Sequence, residues 1–268
     1  MQPYGIDIVI PVLNDIRILD TIKSIRHFDD IDGVRVVVMA GKSSEGFLAS
    51  VQAVLYPGDD LCTEPDNGIF DALNKGLDRC TAPIIGWLGG DDVFTGHVTA
   101  SDVVAEFEAH APGILVYSTQ YHVGGQITRE LRAGLSKPSF VRWGFHNGHF
   151  STFLGRAVYE KNRFPIRLER RNLFSDIEYF AELLMSEKVV TNDEVCTYMA
   201  EGGSASGTLK SVWVNFSQRY HLFRQKFGIV SGICAPMICL AWKIVSVLRY
   251  KISPRRCQRA WDNQASNA

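Results

Sequence analysis

Two adjacent carboxylates follow directly after an apolar run that has the pattern of a buried strand. The stretch "IIGWLGGDDVF", residues 84–94, passes through two glycines to Asp91 and Asp92. Like charges this close raise the free energy unless a cation or hydrogen-bond donors offset them. Mg²⁺ prefers oxygen ligands and often combines one or two carboxylates with substrate phosphates. The pair predicts a divalent metal and a diphosphate at a strand tip; a surface turn whose aspartates cap the next helix is the alternative.

The elements that would hold these acids begin at the N-terminus. Residues 6–14, "IDIVIPVLN", and residues 34–41, "VRVVVMAG", read as buried strands. Between them, residues 15–28 predict a helix whose apolar face consists of Ile18, Leu19, Ile22 and Ile25. A strand–helix–strand opening with continuously apolar strands predicts an α/β fold with a parallel sheet covered on both faces.

The same alternation continues along the chain. Residues 66–80 predict an amphipathic helix, with Ile69, Leu73 and Leu77 on one side and Asp71, Asn74, Lys75 and Asp78 on the other. Further strands are predicted at 83–90 and 113–123, and further helices at 101–110 and 175–187. Residues 142–161, rich in aromatics and glycine, predict a loop that lines the site and leads into a helix.

Length and composition limit the class of protein. With 268 residues, 46% of them hydrophobic, and a net charge of −1, the chain fits one globular domain, with or without an appendage. The near-neutral charge argues against a nucleic-acid partner. The six cysteines form no CxxC pair, and the N-terminus lacks the pattern of a signal peptide. We therefore expect a reduced, cytoplasmic protein.

The character of the sequence changes near residue 225, which predicts domains at 1–225 and 226–268. Residues 228–248 contain a single charge, Lys243, and the next eleven residues contain five basic side chains and no acid. A membrane span needs about 20 apolar residues, but Gly232, Pro236 and Lys243 weaken that interpretation. A helix lying on the inner face of the cell membrane, with its cations facing anionic lipid, fits better. A buried packing helix or an oligomer contact is the alternative.

An ordered set of motifs carries a family resemblance over roughly residues 5–210. The motifs are "VIPVLN", "VVVMAGKSSEG", "EPDNGIFDALNKGL", "WLGGDD", "HNGHFSTF", "FSDIEYFAELL" and "GGSASG". Together they resemble family 2 glycosyltransferases with the GT-A fold, and most closely the bacterial enzymes that build surface polysaccharides of the capsule, O-antigen or colanic-acid type. The resemblance implies a Rossmann-like, mostly parallel sheet flanked by helices, with a C-terminal helical appendage that associates with the membrane.

The resemblance also implies a nucleotide-diphosphate sugar at the strand tips, with Mg²⁺ or Mn²⁺ bridging its diphosphate. Asp92 matches the metal ligand of the family's DxD-type motif, and Asp91 is expected on the donor side. Gly90 stands where the first acid of that motif usually lies. After the second strand, Gly41 and Lys42 replace acids that in many relatives read the base. This departure leaves the identity of the base open, with uridine as the leading prediction.

The remaining donor-side roles are carried over in the same way. The family likeness places Pro11 and Asn14 along the nucleotide pocket and Asp66 near the base or ribose. It directs Asn74 and Lys75, on the polar face of their helix, toward the donor. An i,i+4 ion pair between Asp71 and Lys75 on a solvated helix face is the alternative.

The resemblance assigns two residues to the acceptor side. Asp176 matches the general base that deprotonates the acceptor hydroxyl. The local alternative is a capping box made by Ser175 and Glu178, with Asp176 favoured at the helix N-terminus. His149 is expected to line the acceptor side, whereas a zinc site made with His146 lacks further ligands. The basic run 167–171 could meet an acceptor phosphate or be a solvated charge run.

The predicted function is an inverting transfer of a sugar, with a UDP-sugar favoured, to a glycan or lipid-linked acceptor in bacterial surface polysaccharide biosynthesis. A nucleotidyltransferase is one alternative, although "PVLNDI" is not the glycine-rich phosphate loop expected after the first strand. A non-catalytic sugar-nucleotide-binding protein is the other. The absence of G-x-G-x-x-G after the first strand argues against a dehydrogenase.

Overall fold

The computed structural model describes residues 5–143, 149–166, 175–200, 209–252 and 255–256. The strands in these ranges are β1 (Ile6–Pro11), β2 (Val34–Met39), β3 (Asp60–Cys62), β4 (Ile84–Trp87), β5 (Val93–Phe94), β6 (Ile114–Val123), β7 (Gln126–Leu131), β8 (Thr152–Gly155), β9 (Val189–Ala200) and β10 (Arg255–Arg256). The helices are α1 (Ile18–Phe28), α2 (Glu45–Gln52), α3 (Ile69–Arg79), α4 (Ala100–His110), α5 (Pro138–Val141), α6 (Arg156–Tyr159), α7 (Ser175–Ser186), α8 (Leu209–Phe227) and α9 (Ile229–Ile252). Short 3₁₀ turns lie at Ala133–Ser136 and His149–Ser151.

One mixed sheet organises the described residues. Its order is β10-β7-β6-β8-β4-β1-β2-β3. Strands β3, β2, β1 and β4 are mutually parallel, and β8 enters antiparallel beside β4. Strand β9 runs parallel to β6 and pairs antiparallel with β5, which lies directly after the Asp91–Asp92 pair. The α/β prediction is confirmed, and the antiparallel strands complete the sheet on one side.

Apolar periodicity predicted the parallel half well. The four strands predicted at 6–14, 34–41, 83–90 and 113–123 are β1, β2, β4 and β6. The helices predicted at 15–28, 66–80, 101–110 and 175–187 are α1, α3, α4 and α7, each within a few residues of its predicted ends. Ile69 departs from its predicted side, because it is 48% exposed at the first position of α3.

The prediction of a loop across 142–161 was wrong in its centre. Strand β8 forms there and pairs with Ile84 and Ile85 of β4 on one edge and with Ile114–Val116 of β6 on the other. Phe153 and Leu154 are buried in this strand, because both faces of the sheet are covered there. Residues 144–148 of that segment lie outside the described residues.

Helix α3 lies unusually close to the sheet. A Cβ atom on Gly76 would come within 2.4 Å of Val9 Cγ1 and 3.2 Å of Met39 Cγ. Only a residue without a side chain fits at that point, because a well-packed core accommodates added carbon poorly. This contact fixes α3 over β1 and β2, the strands whose ends carry the candidate site.

The C-terminal part forms a helical pair that packs on α7. Helices α8 and α9 are separated by Gly228, whose φ of +88° favours glycine. Phe223 of α8, Ala235 of α9 and Ile177 of α7 form a small apolar cluster. Within the described residues no helix is both long and apolar enough to cross a membrane. The predicted division at residue 225 stays a prediction.

Candidate functional site

The carboxyl ends of four parallel strands meet along one edge of the sheet. Register places Pro11 of β1 opposite Met39 of β2, and Met39 opposite Cys62 of β3. On the other side, Val9 of β1 lies opposite Trp87 of β4. In an open α/β sheet this edge is where ligands bind. We call residues 12–17, 40–44, 64–68 and 88–92, which follow these strands, the strand-tip site.

Hydrogen bonds tie the loops of the strand-tip site together. The Ser44 backbone N–H donates to Asn14 Oδ1 at 2.8 Å, which joins the loops after β1 and β2. Asn14 has a φ of +51°, a conformation that asparagine tolerates better than most residues. The Lys42 ammonium donates to the Asp66 carbonyl oxygen at 2.7 Å, which joins the loops after β2 and β3. The segments that carry Asn14 and Asp66 therefore adjoin each other, beside the end of β1 at Pro11, and the roles of these three residues in nucleotide binding stay predictions.

Gly41 allows these segments to approach each other. A Cβ atom there would lie 2.5 Å from both Asp66 Oδ2 and the Glu64 carbonyl oxygen. The Asp66 carboxylate also accepts the Gly68 backbone N–H at 2.8 Å. The replacement of the family's acids by Gly41 and Lys42 thus coincides with a loop arrangement in which Asp66 packs against the end of β2.

Asp91 and Asp92 differ sharply in their surroundings. The Asp92 side chain is buried, at 3% exposure, and its Oδ1 accepts the Ala200 backbone N–H from the end of β9 at 3.0 Å. The Asp91 side chain is 32% exposed. The pKa of Asp92 is raised to about 8, chiefly by burial and secondly by the charge of Asp91. Hydrogen bonds from backbone N–H groups and the charge of Arg17 lower it by smaller amounts. A buried carboxylate with a raised pKa is a group that a bound cation would stabilise in its charged form.

Arg17 supplies the cationic group next to this pair. Its guanidinium Nε lies 2.9 Å from Asp15 Oδ1, and another of its nitrogens lies 3.1 Å from Asp91 Oδ2. Hydrogen bonding to Asp15 raises the pKa of Arg17, and the same contact lowers the pKa of Asp15. Arg17 was not predicted from the sequence, although its position three residues after Asn14 in "NDIR" was an available signal.

The prediction that Asn74 shares the polar face of α3 with Lys75 is wrong, whereas its role in donor binding stays a prediction. Its side chain is buried, with Nδ2 donating to the Phe164 carbonyl oxygen at 2.9 Å and Oδ1 accepting the Phe164 N–H at 2.8 Å. The helix pattern could not reveal this, because Phe164 is 90 residues away in sequence.

Lys75 occupies the solvated side of α3. Its ammonium contacts Glu64 at 2.7 Å, the Pro65 carbonyl oxygen at 2.7 Å and Asp71 at 3.8 Å. Hydrogen bonding to Glu64 raises the pKa of Lys75. The i,i+4 pair with Asp71 is therefore present, and the role of Lys75 in donor binding stays a prediction.

Asp176 lies in the first turn of α7, which packs against the end of β4. The ring centroids of Phe180 and Trp87 are 5.8 Å apart, and Trp87 is the last residue of β4. Ser175 is the first residue of the helix, and its hydroxyl donates to the Pro165 carbonyl oxygen at 2.5 Å. The capping-box alternative would need Ser175 to precede the helix. The role of Asp176 as a base stays a prediction.

Several predictions lie partly or wholly outside the described residues. His149 begins a short 3₁₀ turn, but its side chain is not described. His146, the basic run 167–171 and the loop 201–207 lie outside the described ranges altogether. Where the structure does describe the chain, it contains no cluster of three or more His, Cys, Asp or Glu side chains suited to a metal ion.

The family of the chain follows from comparison with known proteins. The family model "Glycosyl transferase family 2" matches residues 7–167, which is more than half of the chain and includes the whole strand-tip site. The chain belongs to glycosyl transferase family 2.

Related sequences and solved structures agree with this assignment. A PGL/p-HBAD biosynthesis glycosyltransferase of Mycobacterium bovis is 31% identical over 129 residues, which is 44% of this chain and 50% of the relative. The chain thus spans about half the length of the curated relatives that it matches. The structure of S. aureus TarS 1–349 in complex with UDP-GlcNAc has a TM-score of 0.59 at 15% identity, over 82% of this chain and 65% of that one.

A second solved structure aligns over the entire length of this chain. The mannosyltransferase PcManGT from Pyrobaculum calidifontis, in complex with GDP-Man and Mn²⁺, has a TM-score of 0.56 at 15% identity, over 100% of this chain and 81% of that one. At such low identity the likeness establishes the fold alone. The GT-A fold predicted from the sequence is confirmed.

Proposed function

We propose that this protein is an inverting glycosyltransferase that moves a sugar from a nucleotide-diphosphate donor to an acceptor hydroxyl. The observation that carries the proposal is the buried Asp92, beside Asp91, at the tips of parallel strands in a family 2 chain. The strand-tip site contains a buried carboxylate that a cation would stabilise in its charged form, and the guanidinium of Arg17 lies nearby. A metal ion and a guanidinium are groups that can bind the diphosphate of a sugar nucleotide.

The donor set fits Mg²⁺ or Mn²⁺. Both are hard cations, and one or two carboxylates completed by substrate phosphates suffice to bind Mg²⁺. Asp92 would be the main protein ligand, and Asp91, already paired with Arg17, would be the lesser one. The bound cation would stabilise the negative charge that develops on the departing diphosphate.

The acceptor chemistry is assigned to Asp176. As the acceptor oxygen attacks the anomeric carbon, its proton passes to the Asp176 carboxylate and the nucleoside diphosphate leaves from the opposite face. This single in-line displacement inverts the anomeric centre and needs no covalent nucleophile. The packing of α7 on the end of β4 supports the role, since it brings the helix that carries Asp176 beside the strand that leads to Asp92.

A UDP-sugar is the favoured donor. The TarS structure contains UDP-GlcNAc, whereas the PcManGT structure contains GDP-Man with Mn²⁺, so related folds bind different bases. A panel of UDP-, GDP- and dTDP-sugars, tested with and without Mn²⁺ for release of the nucleoside diphosphate, decides the question. Metal-dependent release from one class supports the proposal. Metal-dependent binding of UDP without turnover of any sugar would favour the non-catalytic alternative, and turnover of nucleoside triphosphates would favour a nucleotidyltransferase.

The acceptor is proposed to be a glycan or a lipid-linked sugar of a bacterial surface polysaccharide, reached at the inner face of the cell membrane. Helix α9 supports attachment to a membrane surface. Ten of its large apolar side chains are between 38% and 83% exposed: Ile229, Val230, Ile233, Met237, Leu240, Trp242, Ile244, Val245, Leu248 and Ile252. Many recur every three or four residues and so share one helix face. Exposed Arg249 and Lys251 follow at its end and suit anionic lipid.

Replacing Ile233 and Met237 together by aspartate is expected to lower the partition of the protein onto anionic vesicles by about 10-fold or more. The reason is that burying one large apolar side chain contributes about 1.5–3 kcal/mol. Co-sedimentation with phosphatidylcholine vesicles, with and without phosphatidylglycerol, measures the effect, and added salt should weaken it.

The matched control is Tyr56→Asp, an equally radical change at a side chain that is 60% exposed near β3, at the opposite edge of the sheet. It should bind vesicles like the unmodified chain. Failure of the unmodified chain to bind, together with a dimer in sedimentation that the double variant loses, would instead make α9 an oligomer contact.

A further inference from the structure

A buried amide links α3 to the segment that precedes α7. The two hydrogen bonds between Asn74 and Phe164 use both groups of the side-chain amide and both groups of one backbone residue. Such a reciprocal pair fixes the position and the orientation of the Phe164 backbone together. It also satisfies four polar groups that would each cost free energy if buried without partners.

Phe164 and its neighbour contact α7 on both sides of Asp176. The Phe164 ring stacks on Tyr179, with the ring centroids 4.1 Å apart, three residues after Asp176. The Pro165 carbonyl oxygen accepts the Ser175 hydroxyl at 2.5 Å, one residue before Asp176. The segment that Asn74 holds therefore contacts α7 at two points, Ser175 in the first turn and Tyr179 in the second.

The ring of Phe164 also packs against aromatic side chains of α3 and β4. Its centroid lies 5.6 Å from that of Phe70 on α3 and 5.6 Å from that of Trp87 at the end of β4. A change in the Phe164 backbone would be transmitted to α7 rather than absorbed locally, because close-packed interiors transmit strain.

We infer that Asn74 is a positioning residue, which sets the location of the Asp176 carboxylate through Phe164 and Pro165. The inference rests on the proposed function only for the role of Asp176 as the base. A general base must lie within about 2.6–3.2 Å of the proton that it removes. A displacement of about 1 Å can lower the rate by about 100-fold. Asn74 is thereby assigned to placement of the base and not to the donor.

The test compares Asn74→Asp with two other variants. The aspartate keeps the acceptor for the Phe164 N–H and loses the donor to its carbonyl oxygen. Ser175→Ala removes the second connection by a milder change, and so serves if Asn74→Asp does not fold. Val51→Ala shortens a buried side chain on α2, away from α3 and α7, and is the control for general loss of stability.

Hydrogen exchange of the amides in 175–186 tests the positioning without any reference to activity. Asn74→Asp should raise exchange in the first turn of α7, and Val51→Ala should not. Equal protection of α7 in Asn74→Asp and the unmodified chain would overturn the inference. Faster exchange would support the positioning role even if Asp176 proves not to be the base. Failure of the positioning inference can therefore be distinguished from failure of the assignment of Asp176.

A double-mutant cycle tests the connection to Asp176. Asn74→Asp should lower kcat by about 10- to 100-fold, with the dissociation constant of UDP changed less than about twofold. Ser175→Ala should also lower kcat, but by a smaller factor. In an Asp176→Asn background, the further effect of Asn74→Asp on kcat should nearly vanish. A full effect of Asn74→Asp on kcat in both backgrounds would show that Asn74 acts independently of Asp176 and would refute the inference. Loss of UDP binding with kcat unchanged would also refute it and would indicate that Asn74 contacts the donor.

Discussion

Asp176→Asn is expected to lower kcat by about 10²- to 10⁴-fold, because asparagine cannot accept the proton of the acceptor hydroxyl. The shape of the side chain is kept, so UDP binding should be unchanged. Initial rates at saturating donor and acceptor, together with calorimetric titration of UDP, measure the two quantities separately. This split between turnover and donor affinity is what distinguishes a base from a residue that only holds the fold.

Glu178→Gln is the matched control, because it removes another carboxylate from the same helical turn. We expect its kcat to stay within about threefold of that of the unmodified enzyme, since a partly exposed carboxylate at a helix start contributes mainly to helix stability, by about 0.3–1 kcal/mol. Retention of full activity in Asp176→Asn, or an equal loss in both variants, would contradict the assignment of Asp176 as the base.

Asp92→Asn is expected to abolish metal-dependent binding of UDP, reducing affinity by about 100-fold or more. An amide oxygen carries no net charge to hold a divalent cation, whereas hard cations favour carboxylates. Titration of UDP with and without Mn²⁺ measures the loss. Asp91→Asn should have a smaller effect, because Asp91 is partly exposed and already paired with Arg17. The reverse ranking of the two variants would transfer the metal to Asp91.

Asp92→Asn should also stabilise the metal-free protein at alkaline pH. Because the pKa of Asp92 is raised from 3.8 to about 8, the folded chain keeps a proton that the unfolded chain releases between those values. The free energy of unfolding therefore falls as pH rises through this window, by at most about 1.4 kcal/mol per pH unit from this group. Urea denaturation in EDTA should show that slope in the unmodified chain and a flatter one in Asp92→Asn. Identical slopes would mean that Asp92 ionises normally in the fold.

Local sequence was enough for the parts of this protein whose structure depends on neighbouring residues. The continuous β-branched runs of β1 and β2 predicted strands that are buried on both faces, and the periodic apolar face of α7 predicted a helix. The position of Asp91 and Asp92 at the end of β4 followed from the apolar run that precedes them. The prediction that they bind a divalent metal followed from the preference of hard cations for carboxylates.

Contacts between distant segments left no such trace. Asn74 stands among polar residues in α3, and only the packing of Phe164 over the helix buries it. The strand β8 was missed because it is only four residues long, Thr152–Gly155, and lies in a stretch rich in aromatics and glycine.

The sequence by itself determined the family, the α/β alternation and the acids at the strand tip. Tertiary structure alone decided that Asp92 is the buried acid and Asp91 the exposed one, because Ala200 reaches Asp92 from 108 residues further along the chain. It also decided that Arg17 faces Asp91 across two strand ends. Burial and pairing of this kind depend on which segments meet in space, and a carboxylate's pKa and role depend on burial and pairing.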